Sequence, residues 1–160
     1  MFSSMFARCF LSAALLAALP AAQAFDARST SAVNVDGKGL ALRGFDPVAY
    51  FSAKTPTPGD EDYKLSFEGA TYYFASKENW SKFKANPAAF APQFGGFCAN
   101  AVAKEKKVDA DPKAWRIVDG KLYVTANPQV LKDWQINVSG NLKVATEAWQ
   151  IIRSISPNGL

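Results

Sequence analysis

Residues 63–74 read YKLSFEGATYYF, which is the pattern of a β-hairpin. Apolar and polar positions alternate over the first five residues, Glu68-Gly69-Ala70 supplies the turn, and a run of β-branched and aromatic residues follows. Ser76 is placed to cap a helix that follows the hairpin. Trp80 and Phe83 are three positions apart and share one face of that helix. The segment therefore predicts a hairpin followed by a helix.

The same arrangement recurs further along the chain. Residues 115–124 read WRIVDGKLYV, and their Asp-Gly pair is preferred by two-residue type I′ turns. Asn127-Pro128 opens a predicted helix that ends at about Trp134, and the apolar residues of 142–152 have the spacing of a last helix. Because hairpins and helices mix without the regular alternation of a parallel sheet, we expect an α+β fold. It consists of two β-hairpins packed with short helices and a C-terminal helix.

An Asp or Asn stands directly before a proline at four positions, which are Asp46, Asn86, Asp111 and Asn127. Such a side chain can accept a hydrogen bond from an unpaired amide at a helix start, where proline has no amide to lose. Asp46 therefore predicts a short helix that begins at Pro47. The same signal predicts helix starts after the other three residues.

The N-terminal residues have the features of a secretory signal peptide. Arg8 precedes a short apolar run, and the stretch ends in Ala22-Gln23-Ala24. The run is too short to span a bilayer, which takes about 20 apolar residues, and no second run follows. We expect cleavage after Ala24, a periplasmic or secreted protein, and no membrane span.

The rest of the chain divides into three parts by its pattern. Residues 25–39 are polar and irregular and predict a flexible lead-in. Residues 40–152 contain both hairpins and predict the folded domain, and residues 153–160 form a C-terminal tail.

Composition excludes several classes of protein. The 160 residues are 49% hydrophobic and 20% charged, which fits a globular protein rather than a disordered one. A formal net charge of +4 is too small to predict nucleic-acid binding. The sequence has no phosphate-binding loop, nucleophile elbow, zinc-protease helix or dinucleotide fingerprint, so we expect no enzymatic activity.

Three further stretches, read in order, resemble the YHS domain family. They are GFDPVAYF at 44–51, GATYYFAS at 69–76 and FAPQFGGFC at 90–98. The chain is most similar to the exported, stand-alone bacterial members. The resemblance implies a small hairpin-and-helix unit of a kind found in heavy-metal transport and sensing proteins, where it is often a metal-binding module.

The metal ligands of that family do not carry over to this chain. Metal-binding members have cysteine at the positions of Ala49, Ala75 and Asn79, and the name-giving Tyr-His-Ser triplet falls on Tyr63-Lys64-Leu65. We therefore expect no cofactor, although copper or zinc stays open as an alternative through Cys98.

Cys98 is the single thiol that remains after the predicted cleavage, and the chain has no histidine. Zinc and copper(I) prefer several sulfur or imidazole donors, so one such thiol would need a second chain or carboxylates such as Asp109 and Asp111. The competing interpretation, which we favour, is that Cys98 is a small buried apolar residue.

The remaining candidate ligand-binding residues are Asp46, Tyr50, Tyr73, Gly95 and Gly96. A carboxylate and a phenol one helical turn apart can hold a polar ligand, but a helix cap beside a core aromatic explains the same pair. Aromatic residues such as Tyr73 can line a pocket or simply fill the core, and Gly95-Gly96 allows close approach to the backbone.

From the sequence we expect an exported, soluble binding module without catalytic activity, whose ligand or protein partner is unidentified. The alternative is a metal-handling protein of the copper type, which uses either Cys98 from two chains or an oxygen-rich site. The oligomeric state is not predicted.

Overall fold

A computed structural model describes residues 25–160 of the chain. Its four strands form two separate antiparallel hairpins, β1 (Asp60–Phe67) with β2 (Ala70–Phe74) and β3 (Asp111–Val118) with β4 (Lys121–Thr125). The helices are α1 (Ala49–Ser52), α2 (Lys77–Ala85), α3 (Pro87–Phe90), α4 (Ala99–Val102), α5 (Pro128–Gln135) and α6 (Val138–Ile152). Short 3-10 turns lie at Leu42–Gly44, Gln93–Gly96 and Pro157–Gly159. The predicted α+β fold is confirmed.

Both hairpins close through two-residue turns. Asp119 and Gly120 have φ values of +48° and +71°, as a type I′ turn requires, and Val118 pairs with Lys121. The first strand of each hairpin begins earlier than predicted, β1 at Asp60 and β3 at Asp111. The pairing register is irregular between Asp60 and Lys64 and between Asp111 and Trp115.

The Asx-Pro signal predicts helix starts correctly at some of its four positions and wrongly at others. Asn127 caps α5 with its side chain. At Asp46 the prediction is only partly met: its carboxylate accepts the Val48 and Ala49 N–H groups, but α1 begins at Ala49 rather than at Pro47, and its N-cap residue is Val48, without a side-chain cap. Asn86 precedes α3 without a side-chain cap. At Asp111 the prediction of a helix start is wrong, because its carboxylate accepts the Lys113 N–H at 2.9 Å in the extended, irregular first part of β3.

The core has three buried clusters that follow the two hairpin-and-helix units. One lies between the first hairpin and α2 and includes Tyr72, Phe74 and Phe83. A second lies between the second hairpin, α5 and α6 and includes Trp134. The third joins the two units and contains Tyr50.

Residues 25–39, predicted as a flexible lead-in, are packed against the rest of the fold. Val33 is buried, and the Asn34 N–H donates to the Gly95 carbonyl at 2.8 Å. The segment has no strong local pattern, because its partners are supplied by residues far away in the sequence.

The predicted C-terminal tail, residues 153–160, also contacts this segment. Lys107 is buried, and its ammonium group donates to the carbonyls of Ser31 at 2.8 Å, Arg153 at 3.1 Å and Ile155 at 2.8 Å. One side chain therefore holds the first and last parts of the described chain together.

Within the described part of the chain, no helix is both long and apolar enough to cross a membrane. The predicted signal peptide, residues 1–24, lies outside the described residues.

Candidate functional site

The buried carboxylate of Asp46 is the centre of a polar cluster with four hydrogen bonds. Asp46 has 0% exposure. Its Oδ1 accepts the backbone N–H groups of Val48 at 2.8 Å and Ala49 at 3.3 Å. Its Oδ2 accepts the Ala75 N–H at 2.8 Å and the side-chain amide of Asn79 at 2.6 Å. An ionised carboxylate has about four lone-pair positions, so these four donors saturate it.

This cluster joins three elements of the fold. Val48 and Ala49 lie at the start of α1, Ala75 follows β2, and Asn79 lies in the first turn of α2. One Asp46 oxygen therefore accepts the N–H groups directly before and at the first residue of α1, although it is not the N-cap of that helix, and the second oxygen adds a long-range connection. The local sequence could not reveal that connection, because Ala75 and Asn79 are about 30 positions away.

The structure brings together Ala49, Ala75 and Asn79, the three positions where the family resemblance implies cysteine in metal-binding members. Ala49, Ala75 and Asn79 each direct an N–H donor at Asp46. The two alanine side chains have no lone pair to offer a metal, and the Asn79 amide nitrogen already donates to the carboxylate. The three positions thus take part in a hydrogen-bonded cluster around Asp46, and none of them offers a thiolate to a metal ion.

Tyr50 does not share a hydrogen bond with Asp46. Its hydroxyl donates to the Pro112 carbonyl at 2.8 Å, and its ring packs edge-on against Trp115 with 5.1 Å between centroids. Burial, with a smaller effect from the Asp111 and Asp46 carboxylates, raises the pKa of Tyr50 well above its ordinary value of 10.0. The phenol therefore stays protonated and acts as a hydrogen-bond donor between α1 and β3.

Gly95 and Gly96 are approached closely, as their pattern suggests, but by the chain itself. A Cβ at Gly95 would lie 1.8 Å from the Ala32 carbonyl oxygen. The Gly96 carbonyl accepts the side-chain amide of Asn34 at 3.1 Å. The N-terminal segment therefore packs directly against the backbone of these two glycines.

Tyr73 lies apart from the other candidates. It lines an open cavity of about 310 Å³ on the first hairpin, together with Lys38, Lys64 and Thr71. The residues proposed from the sequence are thus distributed over different places in the fold, and their role in ligand binding stays a prediction.

Cys98 is a free thiol with 2% exposure at the start of α4. Asp109, which the sequence offered as a possible co-ligand, is held by the Asn34 amide and by an ion pair with Arg43. Among residues 25–160, no group of three or more His, Cys, Asp or Glu side chains is placed to hold a metal ion.

Sequence reasoning missed an aromatic cavity beside Tyr50. This aromatic cavity measures about 340 Å³ and is lined by Tyr50, Phe51, Lys54, Trp115, Arg116 and Ile117. Only a contact between α1 and β3, which are about 60 positions apart, creates it. The adjacent aromatic pair at 50–51 was the available signal, but nothing local links it to Trp115.

The comparison with family models gives one match. Residues 48–94 match the YHS domain family. This YHS segment covers α1, the first hairpin, α2 and α3, and it ends before the second hairpin-and-helix unit. No curated protein and no solved structure matches the chain.

The match identifies residues 48–94 as a YHS domain and specifies no ligand. It includes the positions of Ala49, Ala75 and Asn79, so the departures from the cysteine pattern lie inside the matched segment.

Proposed function

We propose that this protein is an exported YHS-type binding module without catalytic activity. The observation that carries the proposal is the saturated Asp46 carboxylate, which accepts four N–H donors, three of them from positions where metal-binding relatives have cysteine. A metal ion would have to displace these hydrogen bonds and would gain no thiolate in return. The scaffold is kept, and its ligand is of another class.

Burial of Cys98 argues against the alternative of copper shared between two chains. Two thiols, each 2% exposed, would have to leave the core of their own protomers to meet one ion. Nucleophilic catalysis by Cys98 is disfavoured for the same reason, and the chain has no histidine to serve as its base.

Metal titration tests whether the ligand belongs to a class other than metal ions. Copper(I) and zinc are titrated separately into the purified reduced protein and into Cys98→Ser, with bound metal measured after gel filtration. We expect no tight binding by either protein. Equimolar binding that survives in Cys98→Ser would contradict the proposal through an unrecognised oxygen site, and binding lost in Cys98→Ser would establish the copper alternative.

A ligand screen tests whether the protein binds a small molecule. A ligand that binds only the folded state raises its melting temperature by an amount that grows with the logarithm of the ratio of ligand concentration to dissociation constant. We expect at least one small-molecule class to produce such a shift in a metabolite library. A library without any dose-dependent hit would contradict a small-molecule binding role.

Export is tested separately by the mass of the protein recovered from outside the cytoplasm. We expect a chain that begins at Phe25. Recovery of the uncleaved chain from the cytoplasm alone would contradict export without affecting the other two tests.

A further inference from the structure

The aromatic cavity between α1 and β3 has the size of a small-molecule site. Its volume of about 340 Å³ falls within the range of roughly 300–1,000 Å³ that is common for ligand pockets. Four of its six lining residues are apolar or aromatic, namely Tyr50, Phe51, Trp115 and Ile117. Such a lining suits the flat apolar body of a ligand.

The walls of the aromatic cavity are held in place by contacts with the rest of the fold. The Tyr50 ring is fixed by the hydroxyl bond to Pro112 and by its edge-on contact with Trp115. The Phe51 ring packs edge-on against Phe90, with 5.4 Å between centroids. A preformed wall reduces the conformational entropy that a ligand must overcome on binding.

Two basic side chains complete the lining of the aromatic cavity. Lys54 and Arg116 are exposed, and no acidic residue lines the cavity beside them. The ion pairs within residues 25–160 involve Arg43, Lys64 and Lys82, so neither Lys54 nor Arg116 forms a direct ion pair there. An arginine and a lysine at the edge of an aromatic surface fit a carboxylate, which arginine can bind through two parallel N–H donors.

We propose that the aromatic cavity binds a small aryl carboxylate. Its ring packs against the partly exposed side chains of Phe51 and Trp115, behind which Tyr50 is fully buried, and its carboxylate pairs with Lys54 and Arg116. This inference rests on the proposed binding function and specifies the class of ligand.

Three probes separate the ring from the charge. 2-Naphthoate carries both, 2-naphthylmethanol carries the ring alone, and acetate carries the carboxylate alone. Amide chemical shifts of the isotope-labelled protein are recorded during each titration. We expect 2-naphthoate to shift the amides of 50–54 and 115–117 with a dissociation constant of about 1 mM or tighter, as its size allows. The other two probes bind at least several-fold more weakly.

Lys54→Gly is the most informative variant. Lys54 has a φ of +53°, a conformation that glycine adopts without strain, so the substitution removes the charge without weakening the fold. We expect Lys54→Gly and Arg116→Gln each to weaken 2-naphthoate binding by roughly fivefold. Lys121→Gln is the control, since it removes the same charge from an exposed position on β4 outside the aromatic cavity.

Three outcomes would overturn the inference. They are shifts confined to other residues, equal affinity for 2-naphthylmethanol, and equal weakening by Lys121→Gln. A dimer in solution whose interface shifts the same amides would assign the cavity to a second copy of the chain instead. Hits from the metabolite screen that bind elsewhere would leave the proposed binding function intact while this inference fails.

Discussion

The side-chain amide of Asn79 donates a hydrogen bond of 2.6 Å to the Asp46 carboxylate and so joins α2 to the start of α1. Asp46 is fully buried, and amide donors rather than a basic side chain satisfy it. Each donor therefore matters, because a buried carboxylate depends on its hydrogen bonds to offset its removal from bulk water.

Asn79→Ala should lower the free energy of unfolding by about 1–3 kcal/mol, since it leaves one carboxylate position unsatisfied. Asn79→Asp should lower it further, because it places a second carboxylate against the buried one. Urea unfolding at neutral pH measures both. Asn100→Ala is the control, as Asn100 is half-buried in α4 and outside this cluster. Equal stability of Asn79→Ala and the control would show that the hydrogen bond has no net effect.

Gly95 and Gly69 offer a matched pair for the docking of the N-terminal segment. Both have positive φ, +60° and +77°, but a Cβ at Gly69 meets nothing within 4 Å whereas one at Gly95 meets Ala32. Gly69→Ala should therefore lose only the backbone term of about 1–2 kcal/mol. Gly95→Ala should lose clearly more and should expose residues 25–36 to limited proteolysis. Similar losses in the two variants would contradict the close approach.

The parts of this fold that could be predicted are those encoded locally. The Asp119-Gly120 turn and the Ser76 cap of α2 each depend on residues within a few positions, so the sequence pattern contains all the information. Local chemistry can also mislead, as at Asp111, where an Asx side chain stabilises a turn at the irregular start of a strand instead of a helix.

The long-range contacts could not be predicted in this way. The second oxygen of Asp46 meets Asn79, and the lead-in docks on Gly95 about 60 positions later. The aromatic cavity depends on Phe51 and Trp115 approaching each other through the packing of α1 on β3. Each of these features requires the tertiary structure, because neither partner carries a signal that identifies the other.

Substitutions at Lys107 and at its neighbour Lys106 test whether the buried Lys107 ammonium group holds the two ends of the described chain together. Lys107→Met keeps the side-chain length but leaves the carbonyls of Ser31, Arg153 and Ile155 without their shared donor. Its free energy of unfolding should fall by at least about 1–3 kcal/mol. Lys106→Met, at an exposed position, should change it by less than about 0.5 kcal/mol. Urea unfolding compares them, and a stable Lys107→Met would mean that water satisfies these carbonyls.

Tyr50 should make stability depend on pH in the alkaline range. Burial raises the pKa of Tyr50 above its ordinary value of 10.0, so the folded state keeps the phenol proton that the unfolded chain releases. Below that value both states are protonated and the contribution of Tyr50 is fully present. As the pH rises above it, stability falls by up to about 1.4 kcal/mol per pH unit for this one proton. Burial raises the pKa of Tyr72 in the same direction and adds to the loss.

Tyr50→Phe should therefore be less stable than the unsubstituted protein at neutral pH, by about 1 kcal/mol, because the Pro112 carbonyl loses its donor. Above the ordinary tyrosine pKa the difference should shrink and then reverse, since the variant has no phenol at position 50 to ionise on unfolding. Urea unfolding at a series of pH values measures the crossing, and Tyr63→Phe, at an exposed position, should leave the pH dependence unchanged. A constant difference between Tyr50→Phe and the parent protein across the alkaline range would mean that the Tyr50 phenol ionises as easily in the folded chain as in the unfolded one.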